Sequence, residues 1–254
     1  MQRPFFPEGR QVCHVYVLHP PGGVVGGDTL HVEVGVDAGA RALVTTPAAT
    51  KVYRTAGAPS AIDNQLRVEP GATLEWLPNE TILYDGCDLA LRTRVELAPG
   101  AAFIGLELVC FGLPARNDDG FARGRSRFAL ELSRAGTPLV VERGRFDSDA
   151  PVHAAAWGLG GAPVMGTLLA APARSVDADA LAEMTTDLRA RAEALPPGDH
   201  AGVTIAGDAS EATLACRYVG PSVERGGAFL RGAWALARRT LLGRDATPPR
   251  IWST

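Results

Sequence analysis

The chain has 254 residues, 46% of them apolar and 21% charged, with 25 Lys and Arg against 28 Asp and Glu. Those proportions belong to a soluble globular protein and exclude a disordered or collagenous chain. A net charge of −3 argues against general binding to a nucleic-acid backbone, which needs clustered basic residues in excess.

A chain of this length buries about 70–75% of its unfolded surface, so it needs no disulfide or structural metal to fold, and one domain over residues 1–254 is expected. The four cysteines, Cys13, Cys87, Cys110 and Cys216, are widely spaced and form neither a zinc motif nor a disulfide framework. No signal peptide or membrane span is recognisable, so the expected compartment is the reducing cytoplasm. Lys51 is the only lysine, the other basic residues being arginine. A GC-rich genome accounts for that bias, and so does the use of planar, bidentate arginines at interfaces.

The first distinctive segment is His19-Pro20-Pro21-Gly22-Gly23-Val24-Val25-Gly26-Gly27-Asp28. It lacks the Lys-Ser/Thr of a phosphate loop, and strand-like residues follow where a dinucleotide fingerprint needs a helix. Its glycines instead permit close approach of other backbone, against a partner or along an internal passage.

From Gln11 to about Val141 the apolar residues recur with period two, the mark of half-buried strands. Val32, Val34 and Val36 alternate with His31, Glu33 and Gly35; Leu89, Leu91, Thr93, Val95 and Leu97 alternate with Ala90, Arg92, Arg94 and Glu96. An internal repeat runs through this region, with aliphatic residues five and three positions before a Gly-Ala pair. Its copies are Val34/Val36 before Gly39-Ala40, Leu66/Val68 before Gly71-Ala72, and Val95/Leu97 before Gly100-Ala101. Each reads as strand, tight turn, strand. Stacked copies predict layered β-sheets resembling a short solenoid, with ordinary hairpins as the alternative.

Helices are predicted only later, after a β-rich region over about 11–175. From Asp177 to Leu195 the residues Leu181, Met184, Leu188, Ala192 and Leu195 recur at helical spacing, with Asp177 or Asp179 as N-cap and Pro196-Pro197 as the stop. From Ser222 to Leu242 a stripe of Leu230, Trp234, Ala237 and Leu241 ends at Gly243, which fits a C-terminal cap. Between them Val203, Ile205, Leu214 and Tyr218 predict further strands.

Nothing in the sequence is a nucleophile elbow or a paired Cys/His arrangement. The best metal candidate is Asp85-Gly86-Cys87-Asp88, where a thiolate flanked by carboxylates could hold a borderline divalent ion briefly; an Asp-Gly turn is the alternative.

Four strings in order along the chain resemble a known family: Val15 to Asp28 (VYVLHPPGGVVGGD), Thr45 to Arg54 (TTPAATKVYR), Leu74 to Gly86 (LEWLPNETILYDG) and Pro248-Pro249-Arg250-Ile251-Trp252. They resemble the urease accessory proteins called UreD, or UreH in some organisms. The resemblance implies a layered β-rich fold with a pair of helices and a non-catalytic chaperone that helps load nickel into apo-urease. It implies as partners the accessory protein UreF, through it the GTPase UreG, and the urease apoprotein, with nickel a transient cargo. Under it, His19, Gly22, Gly23, Gly26, Gly27 and Asp28 form a glycine loop, and Thr45, Thr46, Lys51 and Arg54 a polar surface or partner contact. Glu80, Tyr84, Asp85, Cys87 and Asp88 form a possible nickel path, and the helix from Ser222 to Leu242 a docking element for UreF. The chain departs from the family pattern in two places. The family usually carries another strand pair before the Arg-Pro-Phe that begins at Arg3, and its pattern is not kept between Phe111 and Arg127, where Asp118 and Asp119 stand near the acidic position. The competing reading is a solenoid-like enzyme acting on a small acid or sugar, with Glu75, Glu80 and Asp85 as paired carboxylates.

Overall fold

The computed structural model describes residues 3–114, 120–207 and 212–253; Asp118 and Asp119 lie outside them. In chain order the strands are β1 (Cys13–Tyr16), β2 (Thr29–Val36), β3 (Arg41–Thr45), β4 (Thr50–Val52), β5 (Ser60–Val68), β6 (Thr73–Leu77) and β7 (Thr81–Leu83). Then follow β8 (Asp88–Leu97), β9 (Ala102–Phe111), β10 (Arg125–Arg134), β11 (Thr137–Arg145) and β12 (Val164–Ala171). Helix α1 (Ala178–Glu193), β13 (His200–Ala206), β14 (Thr213–Gly220) and helix α2 (Val223–Leu242) complete the chain. The fold is mainly β, with a solenoid-like stack of about three turns and both helices in the C-terminal half.

The Gly-Ala repeats are the corners of that stack. On one side β2, β5 and β8 pair in parallel, with Val36 beside Val68 and Val68 beside Leu97. Beyond the corner β3, β6 and β9 also pair in parallel, with Ala42 beside Leu74 and Leu74 beside Phe103. Gly39, Gly71 and Gly100 have φ of 70°, 70° and 73°, a left-handed conformation that costs a residue with a Cβ about 1–2 kcal/mol. Aliphatic residues on either side of each corner face one another across the two sheets, and Leu66, Leu74, Leu97 and Phe103 are at most 1% exposed. Burying each is worth about 1.5–3 kcal/mol.

The remaining strands extend both sheets. The smaller has the order β11-β10-β8-β5-β2, and the larger runs β1-β3-β6-β9-β12-β14-β13, with β7 pairing β9 and β4 pairing β7. The two helices lie on the outer side of the larger sheet. Asp177 caps α1, accepting from Ala180 N at 3.0 Å, and Met184 and Leu188 are its buried residues from the predicted stripe. Ser222 caps α2, accepting from Arg225 N at 3.2 Å, and Gly243 closes it at φ 64°. Leu230, Trp234 and Ala237 face the sheet as predicted, in one cluster with Leu106, Leu108 and Leu168. Among the described residues no helix is long and apolar enough to cross a membrane.

One residue on the buried face of α2 is not apolar. Arg238 has no exposed surface, and its guanidinium meets both oxygens of Glu8 at 2.8 Å and Glu75 Oε1 at 3.0 Å. Glu75 also accepts from Trp234 Nε1 at 2.6 Å, and Glu8 pairs with the buried His14 at 2.8 Å. Removing one partner of such a pair leaves charge stranded in a low-dielectric site. Arg238→Ala is therefore expected to cost about 3–5 kcal/mol, read as a lower urea midpoint than that of the native chain.

Candidate functional site

The glycine loop lies along β4. Val24 N donates to Lys51 O at 2.7 Å, and Tyr53 N donates to Val24 O at 2.8 Å. A Cβ on Gly23 would strike the Tyr53 ring and lie 2.9 Å from Lys51 O; one on Gly26 would strike Thr55 and lie 2.8 Å from Ala58 O. Gly22 and Gly27 turn the chain at φ of 76° and 91°. Asp28 closes the loop by accepting from Val25 N at 3.0 Å. These residues seal the molecule locally, and His19, Gly22 and Gly23 help line a cavity behind the loop.

Of the residues expected on a polar surface, Thr45 is not there. It is 1% exposed, donates to Leu77 O at 2.6 Å and accepts from Trp252 Nε1 at 3.0 Å, so its hydroxyl joins the C-terminal segment to the larger sheet. Thr46 accepts from Asn79 N at 2.9 Å; Asn79 Oδ1 accepts from Arg231 at 2.8 Å, and that guanidinium stacks 4.6 Å from the Trp252 ring. The strings around Thr45, Leu74 and Ile251 thus meet in one place. Lys51 lines the cavity and Arg54 is exposed.

The segment 85–88 forms the turn that its Asp-Gly pair allowed. Gly86 has φ 80°, and Cys87 N donates to Tyr84 O at 3.1 Å. Cys87 is buried, and burial, reinforced by Asp88, pushes its thiol up to about 12. Asp85 accepts from Ala122 N at 2.9 Å, Arg123 N at 2.6 Å and the Arg123 side chain at 2.8 Å, while Asp88 pairs with Arg127 at 2.9 Å. Tyr84 packs on Tyr53, with ring centroids 5.0 Å apart, and Glu80 O accepts from Thr50 N at 2.9 Å. The candidate carboxylates for acid-base work are held separately, Glu75 by Arg238 and Asp85 by Arg123. Among the described residues, no three of His, Cys, Asp and Glu gather as a metal site.

A different polar group stands between the sheets. On β9 the residues on the side of the smaller sheet are Phe103, Gly105, Glu107, Val109 and Phe111, one carboxylate in an otherwise apolar row. By register Glu107 lies beside Thr167 on β12, and Thr167 beside Arg217 on β14. On the facing sheet Asn64 lies beside Thr93, Thr93 beside Leu130, and Leu130 beside Glu142. The two rows form a polar belt across an otherwise apolar interior. Asn64 Nδ2 donates to Thr93 Oγ1 at 3.1 Å, and Thr93 and Glu107 line one small cavity between the sheets. At the far end Arg217 meets Glu142 at 2.5 Å.

Two cavities meet at this belt. One of about 360 Å³ is lined by His19, Lys51, Thr46 and Asn64, the other of about 220 Å³ by Thr167, Arg217 and Glu142, and both by Glu107 and Val109. Glu107 lies deep in the protein yet keeps accessible surface, because that surface faces the cavities. Burial pushes its carboxyl up to about 7; the Thr93 hydroxyl opposes the rise and the Glu142 charge adds to it.

The period-two pattern does not single out Glu107. The available signal is the run Phe103-Ile104-Gly105-Leu106-Glu107-Leu108-Val109-Cys110-Phe111, a stretch long and apolar enough for a strand buried on both faces, broken by a single charge. Thr93 carries the same signal inside the apolar row of β8.

Comparison with known proteins agrees with the strings that meet around this interior. The family described as UreD urease accessory protein matches residues 1–253. The urease accessory protein UreD of Azoarcus sp. (strain BH72) is 42% identical over 254 residues, covering 100% of this chain and 85% of that protein. The protein of the same name from Alkalilimnicola ehrlichii is 45% identical over 254 residues, covering 100% and 82%. That from Dechloromonas aromatica is 38% identical over 255 residues, covering 100% and 85%. With the match running the length of the chain, this protein belongs to the UreD family of urease accessory proteins.

Proposed function

We propose that this protein is a non-catalytic chaperone for urease maturation that works in the cytoplasm and helps pass nickel to the apoprotein. In this reading it stands between urease and UreF, and through UreF the GTPase UreG, and nickel crosses it along the polar belt. The observation that carries the proposal is Glu107, a lone carboxylate on the wall shared by two cavities. A divalent cation moving between sheets needs oxygen donors to replace its water, but too many would trap it. Glu107 supplies one carboxylate oxygen donor on giving up its proton, and Asn64, Thr93 and Thr167 supply neutral ones nearby. Lys51 and His19 line the cavity of about 360 Å³, where the approach of a cation is controlled. The apolar stripe of α2 is occupied by the larger sheet, so docking of UreF on this helix would use its other face.

Glu107→Gln keeps the shape of the side chain and removes its charge. Co-expressed with urease and its other accessory proteins, this variant is expected to lower urease nickel content and activity by about tenfold, while Glu107→Asp retains part of both. Native nickel content with a folded Gln variant would overturn the proposed route, and equal urease activity with and without this protein would overturn the chaperone reading.

The state of Glu107 has its own check. Its folded carboxyl titrates near 7 against an ordinary value of 4.5, so the native state holds a proton that the unfolded chain gives up. Native stability is then lost as pH rises from 4.5 to 7, by no more than about 3 kcal/mol. Glu107→Gln lacks this loss, so its urea midpoint is expected to gain on that of the native chain between those pH values.

A further inference from the structure

We propose that the Arg217–Glu142 ion pair is the gate of the cavity of about 220 Å³, closed by the guanidinium and opened when a divalent cation takes its place on the Glu142 carboxylate. This inference rests on the nickel route through Glu107.

The pair joins the two sheets at the open end of the belt. Glu142 is on β11, the edge strand of the smaller sheet, and shares its inward side with Val140 and Gly144, while Arg143 turns outward to Glu131 at 2.9 Å. Arg217 is on β14 in the larger sheet, in the same row as Thr167 and Glu107. Two strand spacings, about 10 Å, separate the backbones of Glu107 and Arg217, which is within reach of a long arginine side chain. The side chains of Glu142 and Arg217 are 26% and 52% exposed, so the pair spans the boundary between cavity and solvent.

Two physical arguments make this contact a gate. A guanidinium at the mouth repels a dication approaching from Glu107, so the ion leaves only when Arg217 moves aside. A partly exposed ion pair contributes little to stability, so it opens at small cost. Arg217 then swings into solvent, where its charge is hydrated, and the ion exchanges one carboxylate for another. Met165, Phe146, Leu159 and Val219 form apolar walls around the passage, and Arg143, the other cation that lines it, is held by Glu131 at 2.9 Å.

The test uses the purified chain loaded with nickel alone, with release followed by mixing with a chelator. Arg217→Gln is expected to release nickel about fivefold faster than the native chain, the equivalent of a partly exposed ion pair. Arg217→Lys keeps a positive charge and is expected to stay near the native rate. Added salt should speed release from the native chain and leave the Gln variant unmoved. The double variant with Glu142→Gln should be no faster than Arg217→Gln alone, because both substitutions open one contact. Release at the native rate from Arg217→Gln would overturn the gate while leaving the route intact, provided Glu107→Gln still abolishes retention. Native retention in Glu107→Gln, or no retention by the native chain, would overturn both. If the pair only protects the edge strand, Arg217→Gln self-associates at raised concentration with its release rate unchanged, and the gate falls.

Discussion

The guanidinium of Arg238 between Glu8 and Glu75 is the contact on which the other parts converge. It binds the segment before β1 through Glu8, the larger sheet through Glu75, and α2 through its own backbone, and its Nη1 also donates to the carbonyl of Asp245. Trp234 shares Glu75 with it, and Trp252 packs on Trp234 at 5.4 Å before reaching Thr45. Segments more than 200 residues apart in the chain are therefore fastened by one charge. Two carboxylates against one arginine leave an excess negative charge in a site with little water, and burial accordingly raises the Glu75 carboxyl above its ordinary range. Such a cluster is a weak source of net stability but a strict specification of arrangement, because alternative packings of α2 would strand the charges.

The interior between the sheets shows the opposite economy. There the polar residues are spread out in rows, with Asn64 hydrogen-bonded to Thr93, Glu107 on the facing strand and an ion pair at the rim. They line two cavities in a core that aliphatic residues could have closed. The Arg238 cluster and the belt lie on opposite faces of the larger sheet, so the sheet separates the fastening of the molecule from its polar interior.

How much of this could be read in advance depended on range. The stacked corners were legible because the Gly-Ala repeat, its spacing and the flanking aliphatics are all local, and the helices because Asp177, Ser222 and Gly243 are caps with local chemistry. The belt was not legible as a belt. Thr93, Glu107, Thr167, Arg217 and Glu142 each look like an isolated exception in its own strand, and only the pairing of β9 with β12, and of β12 with β14, puts three of them in one row. Thr45 misled for a similar reason, since the Thr-Thr-Pro string reads as surface until Trp252 closes over it from 207 residues away. The run from Asp85 to Asp88 was open between turn and ion site; the backbone forms the turn, and Arg123 and Arg127 pair with its two carboxylates.

The corners of the stack have a consequence for how the chain can vary. From Val36 to Arg41, Val68 to Thr73 and Leu97 to Ala102 the spacing is identical, and the left-handed glycines stand above one another in contact. The difference between the first two repeats lies wholly on the return path. Thr45 to Thr50 is one residue longer than Leu77 to Thr81, and Val52 to Ser60 two longer than Leu83 to Leu89. An inserted residue at a corner would shift the register and turn every following side chain to the wrong face, whereas one on the return path lengthens a loop at small entropic cost. Natural relatives are therefore free to change length on the side that carries Lys51, Tyr53 and Tyr84. The corner side behaves as a zipper of fixed pitch, against which the adaptable side can be reshaped without disturbing the core.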